Sequence, residues 1–282
     1  MGANCYYMRF PEGRTKAITL SYDDGVEQDE RLIQLMEQYG FKGTFNLSYG
    51  CTPPEGVTYE PGRVHRRMPF SWLKRVYASA NVEVAIHGLT HPHLERYPAS
   101  KVMHEIIEDR KGWEEFFGGV IRGMAYPYGT YSDEVVEVLR LAGICYSRTT
   151  KSTERFDLPT DWLRLPATCH HKNPRLMELA DNFASMEISG EAKLFYLWGH
   201  SYEFEGDQNW TVIENFFKRL TGMPDTWYAT NIEIYDYIQA YERLYYSSDG
   251  QRVQNPSVID VWLGTRKGEV IYVPAGKTVD LK

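Results

Sequence analysis

Short hydrophobic runs of strand length alternate with amphipathic helical segments along most of the chain, and this constrains its fold more than any other feature. "KAITLSY" (16–22), "GTFNLSY" (43–49), "VEVAIHG" (82–88), "VIRGMAYPYG" (120–129), "ICYSRTT" (144–150), "KLFYLWGH" (193–200) and "WYATN" (227–231) read as strands. Helical patterns at 27–40, 71–80, 100–117, 132–143, 173–185 and 210–222 lie between them, and Ser71, Ser100, Ser132 and Asn173 are expected to cap their helices. Alternation of this kind implies an α/β fold with a parallel sheet, and 282 residues suit a sheet curled into one barrel. The pattern breaks at the end: "SVIDVWLGTRKGEVIYVPAGKTVDLK" (257–282) reads as two or three short strands with a hairpin near Arg266–Gly268. Two units are expected, a barrel over 1–246 and a small β extension over 247–282.

Composition narrows the function classes. With 43% hydrophobic and 24% charged residues the chain is globular rather than disordered. A net charge of -7 argues against nucleic acid as a partner and offers no basic patch to an anionic membrane. The N-terminal stretch lacks the apolar core of a secretory signal, which gives a cytoplasmic expectation. The four cysteines, Cys5, Cys51, Cys145 and Cys169, form no CxxC pair and read as free thiols. A homo-oligomer is compatible with all of this.

In parallel α/β folds chemistry gathers at the carboxyl ends of strands. The polar residues at those ends are Asp23 and Asp24, His87 and His91, Tyr126 and Tyr128 around Pro127, and His200. Two imidazoles and a carboxylate suit a divalent cation that keeps positions open for water and substrate, and Asp24 can complete the set with His87 and His91. His93, across Pro92, is expected to point elsewhere. One aspartate would suffice to cap the following helix; a second, adjacent one points in another direction and can take a proton from water at the metal. Cys169, His170 and His171 are contiguous, so they read as loop and helix-entry residues. Tyr202, Glu203 and Asp207 read as a solvated loop or as contacts to sugar hydroxyls.

The segments "LSYDDG", "HGLTH", "AYPYG" and "LFYLWGH", in this order, resemble the successive motifs of the polysaccharide deacetylase (NodB-like) family, over residues 16–231. The resemblance implies a deformed (β/α)7 barrel and metal-dependent removal of acetyl groups from N-acetylated, or O-acetylated, sugars or oligosaccharides. It implies that Asp24, His87 and His91 hold the metal, zinc foremost, with cobalt, manganese, nickel or iron as alternatives. It further implies Asp23 as general base, His200 as general acid, the Tyr128 backbone N–H at the oxyanion with Tyr126 beside it, and Leu197 or Trp198 against the acetyl methyl. Two rivals share the barrel: a hydrolase of other C–N bonds, such as cyclic amides or ureides, and an inert carbohydrate-binding relative.

The chain departs from the family pattern in three places. Ala125 stands where the third motif usually has an arginine near the base, and Arg164 is the candidate replacement, since Arg122 would alternate to another face. "DLPTDW" only approximates the fourth motif, with Trp162 expected to wall the site. One extra residue separates Leu197 from His200.

Overall fold

A computed structural model of the chain describes residues 6–281. After β1 (Tyr7–Arg9), the alternation runs β2 (Lys16–Asp23), α1 (Asp29–Tyr39), β3 (Gly43–Leu47), α2 (Phe70–Val76), β4 (Val82–Ile86) and α3 (Ala99–Phe117). It continues as β5 (Gly123–Ala125), α4 (Asp133–Leu141), β6 (Tyr146–Ser152), β7 (Leu165–Ala167), β8 (Cys169–His170) and α5 (Leu176–Ser185). It finishes as β9 (Lys193–Gly199), α6 (Tyr202–Gly206), α7 (Thr211–Leu220), β10 (Thr226–Tyr228) and α8 (Asn231–Glu242). No described helix is long and apolar enough to cross a membrane.

Every pairing in the main sheet is parallel, in the order β7-β6-β5-β4-β3-β2-β9-β8 with β10 against β2. The two ends of this order are joined by a single residue, Thr168. Leu165 and Ala167 pair with β6, and Cys169 and His170 pair with β9. One short segment therefore bonds both edges and curls the sheet into the deformed α/β barrel. The sequence pattern does not show it, because "LPATCH" carries neither alternation nor strand length.

The pleat divides each strand between two environments. Ile18, Leu20 and Tyr22 of β2 join the large core beneath helices α1 to α7. Ala17, Thr19, Ser21 and Asp23 take the opposite face, which is unusually polar. There Thr19 donates to Asn231 (2.8 Å), and Asn46 donates to Ser21 (2.9 Å). Helix α8, begun by a capping box of Thr230 and Glu233, packs Ile234, Tyr237 and Ile238 with Ala17, Tyr196 and Leu165.

Of the expected caps, Ser100 lies inside α3, which begins at Ala99 behind Pro98, and Asn173 accepts the Arg175 N–H just ahead of α5. Ser132 accepts the Val135 N–H at the start of α4. Ser71 lies inside α2, with its N–H and hydroxyl both donated to Glu55, because the helix already begins at Phe70 behind Pro69. The tail forms β11 (Tyr245–Tyr246), β12 (Arg252–Gln254), β13 (Val261–Gly264), β14 (Val270–Val273) and β15 (Thr278–Asp280). β13 and β14 make the expected hairpin, and β1 pairs with β13, so residues from both ends of the chain build this sheet. Cys51, Cys145 and Cys169 are free; Cys5 lies outside the described residues.

Gly112 is a point of close approach: a Cβ there would come 2.5 Å from the Tyr49 ring, which packs on α3. Gly112→Ala should cost about 1–3 kcal/mol through overpacking, measured by denaturant unfolding.

Candidate active site

Strand β2 delivers the two aspartates in different directions. Asp23 ends the strand on its polar inner face, while Asp24 leaves it in a left-handed conformation, φ 84°. Residues 66–68 pair antiparallel with 25–27 as a strap over Asp24 (Met68 N to Gly25 O 2.9 Å, Glu27 N to Arg66 O 2.8 Å). From this strap Arg67 donates to Asp24 Oδ1 (2.8 Å), and His65 Nε2 lies 3.2 Å from Oδ2. Burial alone would raise the Asp24 pKa, but His65, His87 and Arg67 hold it well below the usual carboxylate range.

His87 and His91 stand on the loop after β4. His87 is buried, and its Nδ1 lies 2.7 Å from the Ala125 carbonyl. A carbonyl only accepts, so Nδ1 carries the proton and Nε2 is left with its lone pair. His91 has a left-handed backbone, φ 54°. Burial lowers both pKa values, that of His91 to about 4, so both rings are neutral at pH 7, as ligation requires. One ligand atom each from Asp24, His87 and His91 lies within 4.8 Å of the others. This donor set fits a divalent cation.

Asp23 sits between this triad and His200. Its Oδ2 is 3.9 Å from His87 Nε2 and 3.8 Å from His200 Nε2. Asn46 donates to its Oδ1 (2.8 Å), and Arg148 of β6 forms a buried ion pair with Oδ2. Burial opposes the charge, yet Arg148, His87 and His200 together keep the Asp23 pKa below its ordinary value.

His200 is held from behind by Glu203, whose Oε2 is 3.3 Å from both its Nδ1 and its backbone N. The same oxygen is 3.2 Å from Nε2 of His170 and of His171, and Lys172 Nζ reaches Oε1 at 3.1 Å. One ligand atom each from His170, His200 and Glu203 also lies within 4.8 Å of the others. Two facts make the cluster a hydrogen-bond hub instead. The Lys172 ammonium already occupies Glu203, and the Lys172 backbone N–H is donated to His170 Nδ1 (3.1 Å), which puts the neutral ring's proton on Nε2, facing Glu203. Burial works against protonation of His200, but Glu203, Asp23 and Asp24 raise its pKa above the ordinary imidazole value.

The structure therefore brings Asp23, Asp24, His87, His91 and His200 together, with two further neighbours. Trp198 lies on the Ser21 face, its ring 4.4 Å beneath the Arg148 guanidinium. Tyr128, with φ 59°, sets its ring against His91 at 4.6 Å. His93 is turned away, stacked on Tyr128 at 4.0 Å.

Four expected neighbours lie elsewhere. Leu197 is in register with Leu20 and joins the helix-side core, because adjacent strand residues point to opposite faces. The Tyr126 side chain is buried and donates to Leu163 O (2.8 Å), away from the triad. Leu165 stands beside Arg148 in register, so Trp162, three residues upstream, lies toward the amino ends of the strands, edge-on to Tyr235 of α8. Arg164 pairs with Asp133 (2.6 Å) and Asp161 (2.9 Å). Arg148 is the arginine that meets Asp23. A charged residue at an inward position of "YSRTT" was the available signal. Glu203 comes from the short helix α6, and His65 and Arg67 from a loop, stretches too short or irregular for a periodicity to mark them.

Residues 11–147 match the family model described as polysaccharide deacetylase. This part of the chain belongs to the polysaccharide deacetylase family. A search of curated proteins gives no match. Among solved structures, a Mycobacterium smegmatis protein named for the same family is 15% identical, with 85% of this chain and 95% of that one covered and a TM-score of 0.60. The CE4 domain of a multidomain xylanase from the hindgut metagenome of Trinervitermes trinervoides is 15% identical, covering 80% and 92%, with a TM-score of 0.50. A CE4 family pseudoenzyme from Bacillus anthracis is 16% identical, covering 82% and 68%, at 0.48. At 15% identity the first two show a shared fold alone.

The Asp23–Arg148 pair is almost fully buried, with side chains 3% and 1% exposed. Arg148→Ala strands a carboxylate in the barrel and should cost roughly 3–5 kcal/mol. Denaturant unfolding of the two single variants and the double variant Asp23→Asn/Arg148→Ala should show strong coupling, the double being less destabilised than the sum.

Proposed function

We propose that the chain is a metal-dependent hydrolase that removes acetyl groups from acetylated sugars or oligosaccharides. The observation that carries this reading is the placement of Asp23 Oδ2 within 4 Å of both His87 on the ligand triad and His200 opposite. Deacetylation needs a proton acceptor and a proton donor on either side of one carbonyl, and this pair faces one space.

A divalent cation held by Asp24, His87 and His91 would supply Lewis acidity to water and to the acetyl carbonyl, and zinc suits two imidazoles and a carboxylate best. The rest is the work of this chain's own side chains. Asp23, kept ionised by Arg148, accepts the proton of the attacking water. The backbone of Tyr128 offers its N–H to the developing oxyanion. Protonated His200 donates from Nε2 to the departing amine or alkoxide, while Glu203 holds Nδ1 and fixes the ring. The alternation of Trp198 inward and Leu197 outward leaves Trp198 as the wall available to the acetyl methyl.

The test is acetate release from a panel of acetylated mono- and oligosaccharides after metal analysis. Asp23→Asn should keep the metal and lose about 10²–10⁴-fold in turnover, whereas His87→Ala should lose the metal itself. Full activity in Asp23→Asn on every substrate would refute the base assignment. His200→Ala should slow amides more than activated esters, because a good leaving group needs no proton. Equal loss on both would remove His200 from the acid role.

The pH profile supplies a further check. A general acid acts while protonated, so kcat/KM should fall as pH rises through the His200 pKa, which the site raises above its ordinary value. Glu203→Gln removes a charge that favours the imidazolium, so this alkaline limb should move to lower pH. An unmoved limb would exclude His200 as its origin.

A further inference from the structure

Helix α3 turns one polar face toward the loop that carries His87 and His91. Glu105 and Asp109, one turn apart, are 2% and 0% exposed. Their partners are groups of the loops around the triad. Asp109 accepts the Tyr49 N–H at Oδ1 (2.6 Å) and the His87 N–H at Oδ2 (3.1 Å). Glu105 accepts the Thr90 N–H at Oε2 (2.9 Å) and the Thr90 hydroxyl at Oε1 (2.9 Å), and its carbonyl accepts the Leu89 N–H (3.3 Å). No basic nitrogen of the described residues is within 4.0 Å of either carboxylate, in contrast to Asp23 and Asp24, each of which has an arginine.

Two buried carboxylates without a cation are costly unless a positive charge lies nearby. Anchoring the loop does not by itself call for charge at position 105. A glutamine could accept the Thr90 N–H through its oxygen and donate its amide to the Thr90 hydroxyl. What a glutamine could not do is balance a dication on the other side of the loop.

We propose that Glu105 and Asp109 are positioning residues for a divalent cation at Asp24, His87 and His91, Glu105 acting by charge through the ligand loop and both by holding it. The inference rests on the reading of that triad as a metal site. In this arrangement Glu105 supplies a negative charge behind the ligands, while burial pushes the Asp109 carboxyl up to about 8 and leaves it to hold the loop. The Glu105 charge offsets the two arginines, Arg67 and Arg148, that draw on the aspartates. The affinity of the site for its ion is thereby set partly by a helix that contributes no ligand.

The decisive variant is Glu105→Gln, which removes the charge and keeps both hydrogen bonds. Zinc affinity is measured by competition with a chromophoric chelator, alongside thermal unfolding of the metal-free protein. Glu115→Gln, an exposed position on the same helix, is the charge control. The expected result is about a tenfold or greater loss of affinity in Glu105→Gln, as outer-layer partners of ligands typically show. The metal-free melting temperature should be equal to or above that of the wild type, and Glu115→Gln should be unchanged in affinity. Unchanged affinity in Glu105→Gln would overturn the proposal and leave Glu105 a loop anchor. A matching loss of metal-free stability would do the same, since it would mark a structural role. A wild type that takes up no zinc would bring down the metal reading of the triad itself, and this proposal with it.

Discussion

The buried ion pair between Asp23 and Arg148 is the contact on which the site depends. It joins the end of β2 to the inner face of β6 across a closed sheet, with Asp23 buried on all sides. A lone carboxylate in that position would protonate; with Arg148 over it, and with Asn46 donating to its second oxygen, it stays ionised. The cost of burying the pair is met only if the geometry is held firmly. Strand register supplies this, since Arg148 is in step with Ala125 on one side and Leu165 on the other.

Strain gathers at the same rim. The non-glycine residues with left-handed backbone include Asp24, His91 and Tyr128, three residues of the site. Such conformations cost free energy for residues with a Cβ and persist where the surroundings over-determine them. Here the surroundings are identifiable: the 66–68 strap over Asp24, helix α3 behind His87 and His91, and the rings of His91 and His93 against Tyr128. Asp24, His91 and Tyr128 are each aimed by a backbone bend and then fixed by a neighbouring element. The surroundings of His200 are ordered through side chains, with Glu203 gathering His170, His171, His200 and Lys172 around one carboxylate.

Much of the architecture was legible in the alternation of strands and helices, because a residue's burial in a regular element repeats with a fixed period. β2, β3, β4, β6 and β9 stand close to where the pattern puts them, and the tail hairpin does too. Three kinds of residue were not legible. Leu197 and Trp198 differ by one position, and only register decides which of them faces the barrel interior. Trp162 and Arg164 lie in an irregular stretch whose direction across the barrel is set by the pairing of β7 with β6. Glu203 reaches the site from the short helix α6, and His65 and Arg67 from a loop, where side-chain direction follows tertiary contacts rather than any period.

By itself the sequence determined the α/β alternation, the order of polar residues at strand ends, and the donor types that suit a divalent cation, because these depend on local period and on chemistry carried by single residues. The tertiary structure decided that Asp23 is served by Arg148 rather than by Arg164, that Trp198 and not Leu197 enters the barrel, and that α3 stands behind the ligand loop. Each of these depends on distances between segments far apart in the chain. Those distances are fixed by the closure of the sheet through Leu165–Ala167 and Cys169–His170, a pairing that no local pattern encodes.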